Sequence, residues 1–205
     1  MSDPRRSVNV MNLPKRLSGR RSRTETPGHV QEADEAGRDP EQMAYLSWVA
    51  TTVSEHGWAI SGRHGDEAAP PWAFSVGMWL TNQAPELVLC GLSVETAAAI
   101  INAIGTRVAD GADYGPGDVL DDVCPAPLAF RQVDAGWRAT GGLLSVANAF
   151  YGMVRPPYLQ VVWSDREGRF PWDQGHQSRR RTQPMLWLPP DDNPPSAWTR
   201  LDQLS

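Results

Sequence analysis

The sequence predicts an α+β fold: a mixed or antiparallel sheet packed with two or three helices in two layers, behind a disordered N-terminal tail. Apolar runs of strand length outnumber the helical ones, and short connections join the first three. Strand and helix never alternate regularly, and neither the Walker pattern nor the dinucleotide glycine fingerprint occurs, which disfavours a doubly wound nucleotide fold. At 205 residues, 40% of them hydrophobic, the chain holds one ordinary domain and a tail. We divide it into a tail (1–42), a domain (43–188) and a proline-rich C-terminal extension (189–205).

Residues 1–24 hold seven Lys or Arg against Asp3, a charge of +6, and residues 25–42 hold six acids against Arg38, a charge of −5. Such segregation, with Pro4, Pro14, Pro27 and Pro40 and few aromatics, predicts disorder. A solvated extension or an over-long start explains the tail best, since Met43 opens the first strongly patterned segment. Met43, Ala44, Trp48 and Val49 recur at helical spacing over 41–55, with Asp39-Pro40-Glu41 as cap and first turn and Gly57 as the stop. Trp58-Ala59-Ile60-Ser61 reads as a strand, 62–71 as a polar turn and 72–78 as a second strand. Pro85 breaks the next connection, and 86–92 suits a strand buried on both faces. Ser93 with Thr96 opens a helix carrying Ala97, Ile100, Ile101 and Ile104 that ends near Ala109. Residues 111–127 have the Gly, Pro and acidic composition of a loop. The run 128–133 alternates like a strand. Residues 143–151 are apolar and could be helical, although Gly141-Gly142 leaves their type open. The clearest late strand is 158–163, ended by a turn at 164–168. Everything after Pro184 is expected to run over the surface.

Cys90 and Cys124 show no paired spacing, and Cys90 sits in an apolar run where a thiol behaves as a small buried hydrophobe. A reducing, cytoplasmic setting follows. No apolar stretch approaches the ~20 residues that span a bilayer, and no apolar region follows Arg5-Arg6, so neither membrane insertion nor export is expected.

The quoted segments, taken together, resemble a bacterial family known only as a domain of unknown function, number four-two-six-two. The resemblance rests on His56-Gly57-Trp58, Pro71-Trp72-Ala73-Phe74-Ser75-Val76-Gly77-Met78, Pro85-Glu86-Leu87, Gly91-Leu92, Leu159-Gln160-Val161-Val162-Trp163, Gly168-Arg169-Phe170-Pro171-Trp172 and Gln183-Pro184. It covers about residues 43–188. Where the family often has Tyr-Thr, this chain has Phe74-Ser75, which loses a phenol and keeps a hydroxyl. The resemblance implies an actinobacterial-type domain and no settled activity.

Nine tryptophans set the functional expectation, because an indole joins a large apolar face to one N–H donor. We expect Trp58, Trp72 and Trp172 to line one apolar recess, with Ser75, Gln160, His176 and Gln183 among its ligand contacts, as a small-molecule site requires. The rival reading is an enzyme in which His56 is the general base and Glu86 or Asp173 orients it; a His56 that merely complements helix carbonyls is the plainer alternative. A third reading is a protein-interaction or immunity-type module with its Trp and Pro segments as contact surface. The strand glycine of Ser75-Val76-Gly77 loosely resembles flavin-reductase split barrels, but no phosphate-binding motif accompanies it, so the cofactor is unknown. His56, His64, His176 and Asp173 lack metal-ligand spacing, and no metal is expected. Ser75 and Ser145 lack a nucleophile's surroundings. Arg179-Arg180-Arg181 near Trp172 suggests single-strand stacking, yet the 163 residues after the tail carry −6. That charge repels phosphate and leaves weak nucleic-acid contact to the basic tail, residues 5–23.

Overall fold

The computed structural model of the chain describes residues 10–12, 39–65, 69–139, 142–177 and 183–194. Seven strands form one sheet: β1 (Val10–Asn12), β2 (Ala59–Arg63), β3 (Trp72–Val76), β4 (Glu86–Cys90), β5 (Val119–Leu120), β6 (Leu128–Gln132) and β7 (Tyr158–Trp163), in the order β1-β2-β3-β4-β7-β6-β5. The pairs β1–β2 and β4–β7 are parallel and the other four antiparallel, so the sheet is mixed and the class α+β, as expected. Five helices accompany it: α1 (Pro40–His56), α2 (Met78–Asn82), α3 (Val94–Ala109), α4 (Ala135–Ala139) and α5 (Ser145–Tyr151). Only α1 and α3 are long; with α5, which falls in the apolar stretch 143–151 that could be helical, they make the two or three helices expected, and the short α2 and α4 are additions.

Both faces of the sheet are covered, so the layers are three where two were expected. Trp72, Phe74, Val76, Val88 and Cys90 pack with Tyr45, Val49 and Val53 of α1, whereas Ala73, Leu87 and Leu89 pack with Ile100, Ile101 and Ile104 of α3. Alternation along a strand sends neighbouring side chains to opposite faces. The wholly apolar burial of β4 beyond Glu86 reflects this two-sided cover.

Local signals placed both long helices. Asp39 accepts the Glu41 N–H at 3.0 Å, Pro40 opens the first turn, and Gly57 at φ 91° ends α1 with its N–H on the Val53 carbonyl. Ser93 accepts the Thr96 N–H at 3.2 Å at the start of α3. The buried stripe of α1 is Tyr45, Val49, Thr52 and Val53, rather than Met43, Ala44, Trp48 and Val49. Tyr45 reaches the Ser61 hydroxyl of β2 at 2.9 Å, and that contact sets the helix's rotation. Met43 is exposed as a result.

The expected strand 72–78 stops at Val76. Gly77, at φ 116°, turns the chain into α2, and a Cβ there would lie 2.7 Å and 2.8 Å from the Val53 methyls. The C-terminal segment also departs from expectation, since residues 183–193 are fastened to the core. Leu186 is fully buried; its N–H donates to the Gln160 Oε1 at 2.9 Å and its carbonyl accepts the Asp134 N–H at 2.8 Å. Asn193 closes the segment on Met185 by two bonds of 3.0 Å. Within the supposed tail, Val10–Asn12 is an edge strand and Pro40 begins α1; the predicted disorder of the rest lies outside the described residues, as do Arg179-Arg180-Arg181 and 195–205.

Candidate functional site

Polar side chains gather in two places. The first is the end of the sheet where β3 finishes and β4 and β7 begin. Glu86 is fully buried there and accepts four hydrogen bonds: from the Ser75 hydroxyl at 2.5 Å, the Gly77 N–H at 2.8 Å, the Trp79 N–H at 3.1 Å and the Tyr151 hydroxyl. Ser75 also accepts the Leu87 N–H at 2.8 Å, just past the last paired residues Phe74 and Val88. Its hydroxyl thus continues the ladder where the backbone has turned away. Burial raises the Glu86 pKa, and the bonds from Ser75, Tyr151, Trp79 and Gly77 oppose that rise without cancelling it. The Tyr151 phenol is pushed up by burial and then by the Glu86 charge. Tyr158 is the register partner of Glu86 across β4 and β7; its buried hydroxyl has no hydrogen-bond partner among the described residues.

The second place is the turn after β7. Asp165 receives N–H groups from Glu167, Arg169 and Gln177 at 2.9–3.0 Å and the Arg169 guanidinium at 3.0 Å. Burial works to raise this carboxyl, but the bonds from Gln177, Arg169 and Glu167 outweigh it and hold the group well below the usual carboxylate range. On this knot stands an aromatic corner. Phe170 and Trp172 stack at 4.9 Å with planes 14° apart, Trp187 meets Trp172 edge-on at 5.5 Å, and the Arg131 guanidinium lies 4.0 Å from the Trp172 ring. Trp172 is 40% exposed. His176 Nδ1 pairs with the Arg169 carbonyl at 2.9 Å, while His176 Nε2 and Arg131 Nε are buried without partners among the described residues.

The expected common recess is not formed. Trp58 packs on the α3 face, its indole N–H on Asn102 at 2.9 Å, whereas Trp72 packs on the α1 face, its N–H on the Leu143 carbonyl at 3.3 Å. The sheet separates them, because register and pleat, which the sequence does not reveal, decide the face. Nor do the residues of the proposed His56 catalytic group meet. His56 is exposed beside Glu55 at 3.7 Å, Glu86 has the four partners above, and Asp173 accepts the Phe170 N–H at 2.7 Å within its own turn. Gln160 and Gln183 prove to be fasteners: Gln160 donates to the Pro184 carbonyl at 2.8 Å, and Gln183 brackets the backbone of Trp163 at 2.7 Å and 3.3 Å. What the structure does bring together is Ser75 with Glu86, and Trp172 with His176 in one turn. Tyr151, Tyr158, Arg131 and Trp187 were missed as site residues. For Tyr151 no local signal existed, since its partner Glu86 lies 65 residues away; Trp187 was visible only as one tryptophan among nine.

A family model described as a domain of unknown function, DUF4262, matches residues 52–177. The chain belongs to the DUF4262 family. Both polar clusters fall largely inside the DUF4262 span; Trp187 and the strap 183–193 lie beyond it. No curated protein and no solved structure matches the chain. Among the described residues of this DUF4262 chain there is no grouping of three metal-ligating side chains, and no helix long and apolar enough to cross a membrane.

Proposed function

We propose that the chain is a small-ligand-binding module and that its ligand sits at the Trp172 corner. What supports this is an exposed indole already fixed against Phe170 and Trp187, beside two buried polar atoms that have no hydrogen-bond partner among the described residues. A preorganised aromatic surface binds a planar apolar body without the cost of ordering its own side chains. His176, with Nδ1–H on a carbonyl, offers Nε2 as an acceptor, and Arg131 Nε is a donor. A ligand with an apolar ring and an adjacent donor and acceptor, such as a heteroaromatic amide, suits the set. Two cysteines without a disulfide accord with a reducing, cytoplasmic setting.

The test is a thermal-shift panel of planar amides and heteroaromatics on the full chain. A ligand present at a hundred times its Kd is expected to add about 2.7 kcal/mol, hence several degrees of melting temperature. Trp172→Ala should fold and lose that shift. A panel in which no compound gives a shift that depends on Trp172 overturns the reading.

A further inference from the structure

The Glu86 end of the sheet is independent of the aromatic corner, and its chemistry restricts what it accepts. We infer that it is a second binding site, for a neutral ligand that presents a carbonyl-type oxygen to the Tyr158 hydroxyl, with its apolar part against Trp79, Leu80, Met153 and Val154.

The four named apolar residues are exposed, Met153 at 93% and Leu80 at 64%. They belong to two segments brought together around Tyr151. Trp79 and Leu80 are in α2, where Glu86 holds the N–H groups of Trp79 and of the capping Gly77, while Met153 and Val154 come just after Gly152, next to Tyr151, which binds the same carboxylate. The half-buried Tyr151 is therefore the junction between an apolar rim and a sealed polar interior.

The ligand's polarity follows by elimination. An ionised carboxylate offers roughly four lone-pair sites. Ser75, Gly77, Trp79 and Tyr151 supply four donors to Glu86, three on Oε1 and Ser75 on Oε2, and the side chain is fully buried, so the carboxylate presents no open face to a ligand ammonium. Tyr151 spends its proton on Glu86 and accepts the Gly77 N–H at 2.9 Å. A ligand carboxylate would meet the buried negative charge of Glu86, where low dielectric magnifies repulsion. The nearby cation, Arg138, is engaged with the carbonyls of Arg155 and Pro156 at 3.2 Å and 2.7 Å. One capacity is unspent, the hydroxyl of Tyr158, 2% exposed and without a partner among the described residues. Buried hydroxyls ordinarily have partners. The Tyr158 proton is firmly held, because burial, and then the charge of Glu86, raise its pKa; it donates to an acceptor and does not ionise.

Three probes sharing one ring separate the possibilities: acetophenone, benzoate and benzylammonium, titrated into the full chain while the backbone amides of Gly77 and Trp79 are followed by NMR. Acetophenone should perturb both amides in the parent and equally in Trp172→Ala, and the charged probes should bind at least about tenfold more weakly. Tyr158→Phe should weaken acetophenone about three- to tenfold, the loss of one neutral hydrogen bond, and leave the melting temperature unchanged or raised, since an unpaired buried hydroxyl has been removed. Benzoate or benzylammonium binding as tightly as acetophenone, or full affinity in Tyr158→Phe, overturns the ligand class. No perturbation of Gly77 and Trp79 by any probe overturns the site, whatever happens at the aromatic corner.

Discussion

The two buried carboxylates show how environment sets the sign of a titration. Asp165 is depressed because backbone N–H groups and Arg169 stabilise its charge beyond what burial costs. Its stabilisation is present above the ordinary Asp value of about 3.9 and is lost as the pH falls from there toward the folded value. Asp165→Asn is expected to lower the melting temperature at neutral pH and to flatten the decline on acidification; a variant whose acid limb parallels the parent's would refute this role. Glu86 has the opposite sign. Its folded pKa is raised by burial, so its contribution is whole below about 4.3 and is lost as the pH rises through the folded value. In Glu86→Gln that loss should be missing, as melting curves across the pH range will reveal. The sequence displayed Glu86 as an acid opening an apolar run, but its four donors come from β3, α2 and α5, and no spacing rule anticipates that meeting.

At the scale of elements, two junctions hold the polar clusters in place. Gly77 lets β3 turn into α2, and α2 brings two N–H groups onto Glu86. Gly77→Ala adds a Cβ at a positive φ and against Val53, so we expect a loss of about 1–3 kcal/mol from backbone strain alone, and more if Val53 does not yield. A urea midpoint within error of the parent's would contradict it. The strap 183–193 is the other junction, and it carries Trp187 to the aromatic corner. Leu186→Ala empties a fully buried position and should cost about 2–5 kcal/mol, with hydrogen exchange rising at Leu186 and Asp134 before it rises in β7. The caps of α1 and α3 were readable because the capping side chain lies within three residues of the group it satisfies. The strap was not, since prolines alone suggest a surface path, and only Gln160 and Leu186 in contact reveal the burial.

The whole molecule is one sheet with an apolar core on each face, and β2, β3, β4 and β7 each feed side chains to both. Neither core can dissolve while the sheet stands, so the two should unfold together. Trp58 and Trp72 report on opposite faces. Fluorescence of Trp58→Phe and Trp72→Phe variants is expected to give one shared urea transition coincident with circular dichroism; separate midpoints would mean that the faces melt independently.

Composition and periodicity by themselves determined the α+β class, the positions of the two long helices with their caps, and the last strand; the family was legible only as a resemblance, in motifs such as His56-Gly57-Trp58 and Phe170-Pro171-Trp172. These are properties of local chain stiffness and burial pattern, which act over a few residues. Only the tertiary structure decided the partners: that Trp58 and Trp72 face away from each other, that His56 stands in solvent, that Gln160 and Gln183 hold a strap, and that Ser75, Tyr151 and Tyr158 surround Glu86. Strand register assigns a side chain to one face or the other, and it is settled by contacts among residues dozens of positions apart, where the sequence carries no ruler.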